Sequence, residues 1–321
     1  MSRVVALCGG IGGAKLALGL ARVLPGDRLT VIANTGDDFE HLGLHVSPDV
    51  DTVLYTLSGR ADPDRGWGRA GETWRFMDAL GELGAETWFN LGDSDLATHV
   101  VRTDRLRAGA RLTEVTRQIA TAFGIEAEIL PASDDPVRTT VETDAGALPL
   151  QHFFVRHRCQ PRVSGVRFDG AATARPSPEA LARLEAADLV ILCPSNPWLS
   201  IDPILAVAPL RAALAGCAAP RIAVSPLIGG KAVKGPLSKM MAEMGIRPGT
   251  AAIAAHYEGL IDTLVVDSRD GDPGLAAPRI ALADTLMTDL ATREALARRV
   301  LELGGITGDG VTGGGVAGGA A

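Results

Sequence analysis

Residues 4–15, Val4-Val5-Ala6-Leu7-Cys8-Gly9-Gly10-Ile11-Gly12-Gly13-Ala14-Lys15, constrain the fold more than any other stretch. A short apolar run empties into four glycines within five positions, and a helical pattern follows. Leu16, Ala17, Leu20, Ala21 and Leu24 recur at helical spacing and Pro25-Gly26 supplies a stop, so the segment predicts strand, glycine turn, helix. A turn without side chains lets backbone N–H groups approach a ligand closely, and the helix start adds a partial positive charge. Gly9, Gly10 and Gly12 are therefore candidates for binding a phosphate. Two common phosphate signatures fail here. Lys15 stands where a dinucleotide pattern wants its third glycine, and Leu16 stands where a P-loop wants Ser or Thr, so neither plain NAD nor ATP use follows. The alternative is a tight turn required only for α/β packing.

A second apolar, β-branched run, Leu29 to Ala33, ends in Asn34-Thr35-Gly36-Asp37-Asp38. Parallel α/β sheets bind ligands outside the carboxyl ends of their strands, so this acidic loop and the glycine turn are expected to converge. In Ser47-Pro48-Asp49-Val50-Asp51, Ser47 is placed to cap a helix whose first turn holds Pro48, Asp49 and Asp51. Carboxylates there can hold a hard divalent ion or accept a hydrogen bond from a substrate hydroxyl. Trp67 and Trp74, beside Gly66 and Gly68, suggest a stacking surface or core packing. Trp88 to Leu91 repeats the pattern of an apolar run before a Gly-Asp loop; Asp93 and Asp95 fit turn or cap roles, and His99 a structural one. Arg102, Arg105 and Arg107 offer charge to an anion but more often form a solvated face.

The pattern breaks into short alternating runs over about 130–175, where His152 and His157 show no metal-ligand spacing. Helical spacing returns with Ser177 as cap and Pro178 in the first turn, and Leu189 to Cys193 is a further strand ending in Pro194-Ser195-Asn196-Pro197, a stiff turn that offers a hydroxyl and an amide. Arg221 to Val224 leads into Ser225-Pro226-Leu227-Ile228-Gly229-Gly230-Lys231, with Lys234 and Lys239 behind, a second candidate anion cradle. Leu264 to Asp267 reads as another strand and Arg293 to Leu303 as a last helix, before a flexible Gly-rich tail over 304–321. A net charge of −7 argues against a nucleic-acid surface. Four scattered cysteines without a CxxC, together with no apolar run of the ~18 residues a membrane helix needs, point to a cytoplasmic chain.

Jointly and in this order, the glycine turn, Asn34 to Asp38, Ser47 to Thr52, Leu91 to Asp95, Pro194 to Pro197 and Ser225 to Lys231 resemble the motifs of the 2-phospho-L-lactate transferase family of coenzyme F-420 biosynthesis. The resemblance implies an α/β fold, Rossmann-like and doubly wound, with a mostly parallel sheet and a small inserted α+β subdomain, all within a single domain over 1–303. It further implies a Mg²⁺-dependent transfer in which a ribityl hydroxyl of the deazaflavin Fo attacks the phosphorus next to the small acid of a guanosine diphosphate-linked donor, releasing GMP. By likeness, Asp51 and Asn90 lie near Fo, and Asp37, Asp49 and Asp51 are candidates for the metal, with Asp37 and Asp51 catalytic. Gly9, Gly10, Gly12, Asn34, Ser195 and Asn196 hold substrate, and the protein is a homodimer. The competing reading is a non-enzymatic nucleotide-sugar-binding regulator similar to the gluconeogenesis factor family; the loop Asn34 to Asp38 favours the transferase.

Overall fold

The computed structural model describes residues 3–307. Seven strands form its central sheet: β1 (Val4–Cys8), β2 (Leu29–Ala33), β3 (Glu128–Pro131), β4 (Leu189–Leu192), β5 (Arg221–Val224), β6 (Thr263–Asp267) and β7 (Arg279–Ala283). Their order is β7-β6-β5-β4-β1-β2-β3, and every neighbouring pair is parallel. The expected doubly wound α/β fold is thus present, with a sheet that is parallel throughout. β1, β2, β4 and β6 are buried at every position, which is why they appear in the sequence as continuous apolar runs rather than alternating ones. Side chains still alternate between faces. Val4, Ala6 and Cys8 enter one core and Val5 and Leu7 the other.

Helix α1 (Gly10–Val23) follows β1 directly and packs against α2 (Pro48–Leu57) and α4 (Leu290–Leu303); α3 (Asp93–Arg107) lies farther out. From β1 the chain runs outward to β2 and β3, then returns to β4 on the other side of β1. The order of the strands reverses there, the place at which a doubly wound sheet opens a crevice at its carboxyl edge.

Several expectations are corrected. Ile129 to Pro131, assigned above to the insertion, pairs in register with Val31 to Ala33 as an edge strand of the main sheet. Between β3 and β4 stands a three-stranded antiparallel sheet of Arg138–Thr143, Gly146–Pro149 and Val163–Asp169, followed in space by a helical turn, His152–Arg156, whose Phe153 packs with Leu199 and Met240 of the main body. Trp88 to Leu91 is not a strand but a bend, because its rings are taken up in a cluster with Phe39, His41 and His152. Strand β7 had no sequence counterpart above. The last helix begins earlier, at Leu290, with Asp289 capping it through Thr292. The tail is packed at its start: Ile306 is buried in the core and Gly304 lies so close to Leu189 that a Cβ would meet it at 2.5 Å. The remainder of the expected flexible tail, 308–321, lies outside the described residues. Among the described residues no single helix is long and apolar enough to cross a membrane.

Candidate active site

The crevice at the carboxyl edge is a cavity of about 560 Å³. Its glycine wall explains the sequence of residues 9–13. A Cβ on Gly9 would meet Asp49 Oδ2 at 2.5 Å, one on Gly12 would meet the Pro194 carbonyl at 2.5 Å, and one on Gly13 would meet Ser195 Oγ at 2.4 Å. Gly10 has φ +66°, which glycine alone adopts readily. The bareness of this turn therefore lets three segments interlock beneath the cavity as well as exposing backbone above it. Ser195 Oγ donates to the Gly9 carbonyl at 2.7 Å and accepts from the Gly9 N–H at 3.2 Å, so that β1 and β4 are tied at their ends.

Asp49 binds the same turn to α2. Its Oδ1 accepts from the Gly10 N–H at 2.6 Å and its Oδ2 from Asn34 Nδ2 at 2.8 Å. Burial pushes the Asp49 carboxyl up to about 6, although these two donors pull the other way. Asn34 cannot flip, because its Oδ1 accepts from the Gly36 N–H at 2.7 Å. The amides of Ile11 and Gly12, in the first turn of α1, have no intrahelical acceptor by position and remain the natural anion donors.

Adjacent aspartates in the loop after β2 point apart. Asp38 faces His45 Nε2 at 3.1 Å and accepts from Ser47 Oγ at 3.0 Å, which is why Ser47, although at the N-cap of α2, makes no capping bond. Asp37 lines the cavity, and its Oδ1 is buried with no hydrogen-bond partner. Burial first, then the charges of Asp49 and Asp38, hold the Asp37 carboxyl well above its usual range.

The faces of α2 and α3 meet through charged groups. Asp51 and Tyr55, one turn apart on α2, oppose Asp95, His99 and Arg102 on α3. Arg102 donates through both terminal nitrogens to Asp51, Tyr55 Oη donates to Asp95 at 2.6 Å, and His99 lies 3.4 Å from Asp95 and 3.6 Å from Asp51. Burial works to raise the Asp95 carboxyl, but His99 and Tyr55 more than offset it and hold the group below its usual range. Asp51, Asp95 and His99 form a group that can hold a metal ion, with ligand atoms all within 4.8 Å of one another. Asp95, His99 and Arg102 were given structural or solvated roles above. Their spacing of four and three along one helix face was the available signal, but the spacing alone does not say what it faces.

Gly9, Gly10, Gly12, Asp37, Asp49, Asp51, Asn90, Ser195 and Asn196 all line the cavity. Asn34 does not; it is fully buried beneath the wall and spends its amide on Asp49 and the Leu199 carbonyl. Asn196 uses its Oδ1 to cap the turn that follows, accepting from the N–H groups of Trp198 and Leu199. Tyr55, Trp67, Phe89 and Phe154 supply aromatic wall, and Trp67 stands edge-on to Trp74 with the Arg65 guanidinium over both rings. Lys15 and Lys234 border the glycine side; Lys15 Nζ donates to the Met287 carbonyl at 3.0 Å. The second anion cradle takes another form. Gly229 and Gly230, both at positive φ, are the two-residue turn of a short hairpin, the Gly230 N–H goes to Asp270, and Lys239 pairs with Glu243.

Residues 4–302 match the family described as 2-phospho-L-lactate transferase CofD. The chain is 40% identical over 311 residues to a phosphoenolpyruvate transferase of Streptomyces griseus subsp. griseus, covering 94% of this chain and 98% of that relative. It is 39% identical over 303 residues to a 2-phospho-L-lactate transferase of Methanosarcina mazei, covering 93% and 99%. A solved structure of a UPF0052 family member from Bacillus halodurans superposes with a TM-score of 0.61 at 15% identity over 94% of this chain and 98% of that one, a likeness of fold alone. With a family match spanning nearly the whole chain and relatives near 40% identity along their full length, this chain belongs to the CofD family of transferases.

Proposed function

We propose that this transferase moves a phospho-acid group, phospholactyl or phosphoenolpyruvyl, from a guanosine diphosphate-linked donor to a ribityl hydroxyl of the deazaflavin Fo, releasing GMP, as a step of coenzyme F-420 biosynthesis. The observation that carries the reading is that one cavity joins an anion-cradling glycine turn, a set of carboxylates and an aromatic wall. Phosphoryl transfer needs positioning and charge neutralisation more than covalent help, and these are the parts that such a cavity offers.

In this reading the first-turn amides of α1 receive the donor phosphates, with Ser195-Asn196 shaping the facing wall. Tyr55, Trp67 and Phe89 flank the flat acceptor ring, and Asn90 at the rim bonds its polar edge. Asp51 accepts a hydrogen bond from the acceptor hydroxyl and directs its oxygen at the phosphorus beside the acid. A new O–P bond forms as the bond from that phosphorus to the bridging oxygen of GMP breaks, and the hydroxyl proton leaves late, toward Asp51. Mg²⁺ fits Asp37 and Asp49: an unpartnered buried carboxylate oxygen beside a second carboxylate suits a hard ion that takes one or two carboxylates plus phosphate oxygens and water. Bound there it would neutralise phosphate charge. The group Asp51, Asp95 and His99 fits Mg²⁺ less well, since it includes an imidazole. A cytoplasmic homodimer that binds no nucleic acid accompanies the reading.

The test is incubation with Fo, Mg²⁺ and a panel of guanosine diphosphate-linked acids, followed by mass spectrometry. Identities of 40% and 39% to relatives named for two different acids do not choose between them, so the panel must. A phospho-acid adduct of Fo with equimolar GMP is expected; no product with any donor, and no Fo binding, would overturn the proposal.

A further inference from the structure

Asp51, Asp95 and His99 have the spacing of a metal site, yet a cation already stands against them. Arg102 is wholly buried, and its guanidinium faces Asp51 squarely: Nη1 donates to Oδ2 at 3.0 Å and Nη2 donates to Oδ1. Nη1 also lies 3.3 Å from His99 Nδ1. Arg102 is not itself on the cavity wall, whereas Asp51, Asp95 and His99 are. A buried ion pair adds little net stability over apolar residues of similar volume, because both ions lose their water. The pair is therefore poorly explained by folding alone. What the site does need is charge balance, since Asp37, Asp49, Asp51 and Asp95 all line one cavity. A guanidinium fork also fixes the rotation of a carboxylate through two parallel bonds, which a point charge does not.

We infer that Arg102 is a positioning residue for the transfer: it holds the Asp51 carboxylate in one orientation on the cavity wall and supplies the positive charge of the Asp51, Asp95 and His99 group, leaving the divalent ion to Asp37 and Asp49. The inference rests on the reading of Asp51 as the group that meets the acceptor hydroxyl.

Steady-state kinetics of Arg102→Met and Arg102→Lys, each first checked for folding, test the positioning. Arg102→Met is expected to lose about a hundredfold in kcat, the scale of a small misplacement of a reacting group, with the donor KM within about twofold of wild type. Arg102→Lys, which restores charge without the fork, should recover part of that loss. A folded Arg102→Met enzyme with wild-type kcat, or one whose loss lies wholly in donor KM, overturns the inference. Should Arg102→Met not fold, the double variant Arg102→Met with Asp51→Asn removes both charges of the pair and is compared with Asp51→Asn alone. Equal kcat supports action through Asp51, and a further loss overturns it. The location of the cation is read without substrate, by Mn²⁺ titration followed by electron paramagnetic resonance. His99→Ala should bind Mn²⁺ as wild type does and Asp37→Asn should bind it more weakly; the reverse order overturns the inference. Absence of product from the wild-type enzyme would instead sink the transfer reading, and the Mn²⁺ titration would then test by itself whether the cation sits at Asp37 rather than at His99.

Discussion

Replacing Ser195 by Ala asks whether its hydroxyl serves the ligand or the fold. Its donor and one acceptor lone pair are both spent on Gly9, at 2.7 Å to the carbonyl and 3.2 Å from the N–H, and the residue is 3% exposed. Truncation would strand the buried Gly9 N–H, at about 1–3 kcal/mol, while the Gly9 carbonyl, at the N-cap of α1, keeps the bond from the Gly13 N–H. Because the residue borders the cavity, water can partly take the place of the hydroxyl, which brings the expected loss to about 1–2 kcal/mol. Urea unfolding at pH 7 would register this as a lower midpoint at unchanged slope. Donor affinity, measured by calorimetry, should fall only as a consequence of the loosened turn. If stability instead stayed within about 0.5 kcal/mol of wild type while donor affinity dropped tenfold, the hydroxyl would be contacting the donor and the reasoning would fail.

Three further outcomes are expected. Gly12→Ala gains about 1 kcal/mol in helix propensity but drives a Cβ to 2.5 Å from the Pro194 carbonyl, an overpacking cost of about 1–3 kcal/mol; the net should be a loss, and a more stable variant in denaturant unfolding would refute the interlock. Asp37 is a buried carboxyl whose proton affinity is raised by burial and by Asp49 and Asp38, so its ionised form weakens the metal-free fold as pH rises above the usual carboxylate range. In chelator at pH 8, Asp37→Asn should therefore melt no lower than wild type, and added Mg²⁺ should raise the melting temperature of wild type alone; an equal Mg²⁺ shift in both proteins would sink this. Glu179 is held at about 2 by its hydrogen bonds with Arg111, at 2.8 and 3.1 Å. A depressed carboxyl stabilises fully above its unfolded value of 4.5 and loses that contribution as pH falls toward 2. Since the Arg111 side chain is 40% exposed, solvent screening reduces the pair to about 1 kcal/mol, so Glu179→Gln should be less stable by that amount at pH 7 and equal to wild type near pH 2. A difference constant across that range would contradict the assignment.

The strands that could be read in advance are those buried on both faces. β1 and β4 are unbroken apolar runs and β2 and β6 hold three-residue apolar stretches, and such runs bounded by glycine, proline or aspartate have few alternatives. β7, Arg279–Ala283, sits at the sheet edge with exposed and half-buried positions, so its apolar pattern is diluted. Trp88 to Leu91 misled for the opposite reason: aromatic residues packed against other rings look like a strand when read locally.

The site divides in the same way. A glycine turn after the first strand, and aspartates after the second strand and at the start of the next helix, are local features, and the rule that ligands gather at the carboxyl edge brings them together without further information. Local sequence therefore determined the fold class and most of the cavity wall. Which oxygen of which carboxylate stays free was decided elsewhere. Asp49 is occupied by Gly10, 39 positions away, Ser195 by Gly9, 186 away, and Asp51 by Arg102, 51 away. Asp37 keeps a buried oxygen with no partner. Periodicity reports which face of a helix is apolar but not which helix that face meets or at what angle, so an arginine that reads as solvated became, through the packing of α2 against α3, the most deeply buried charge beside the site.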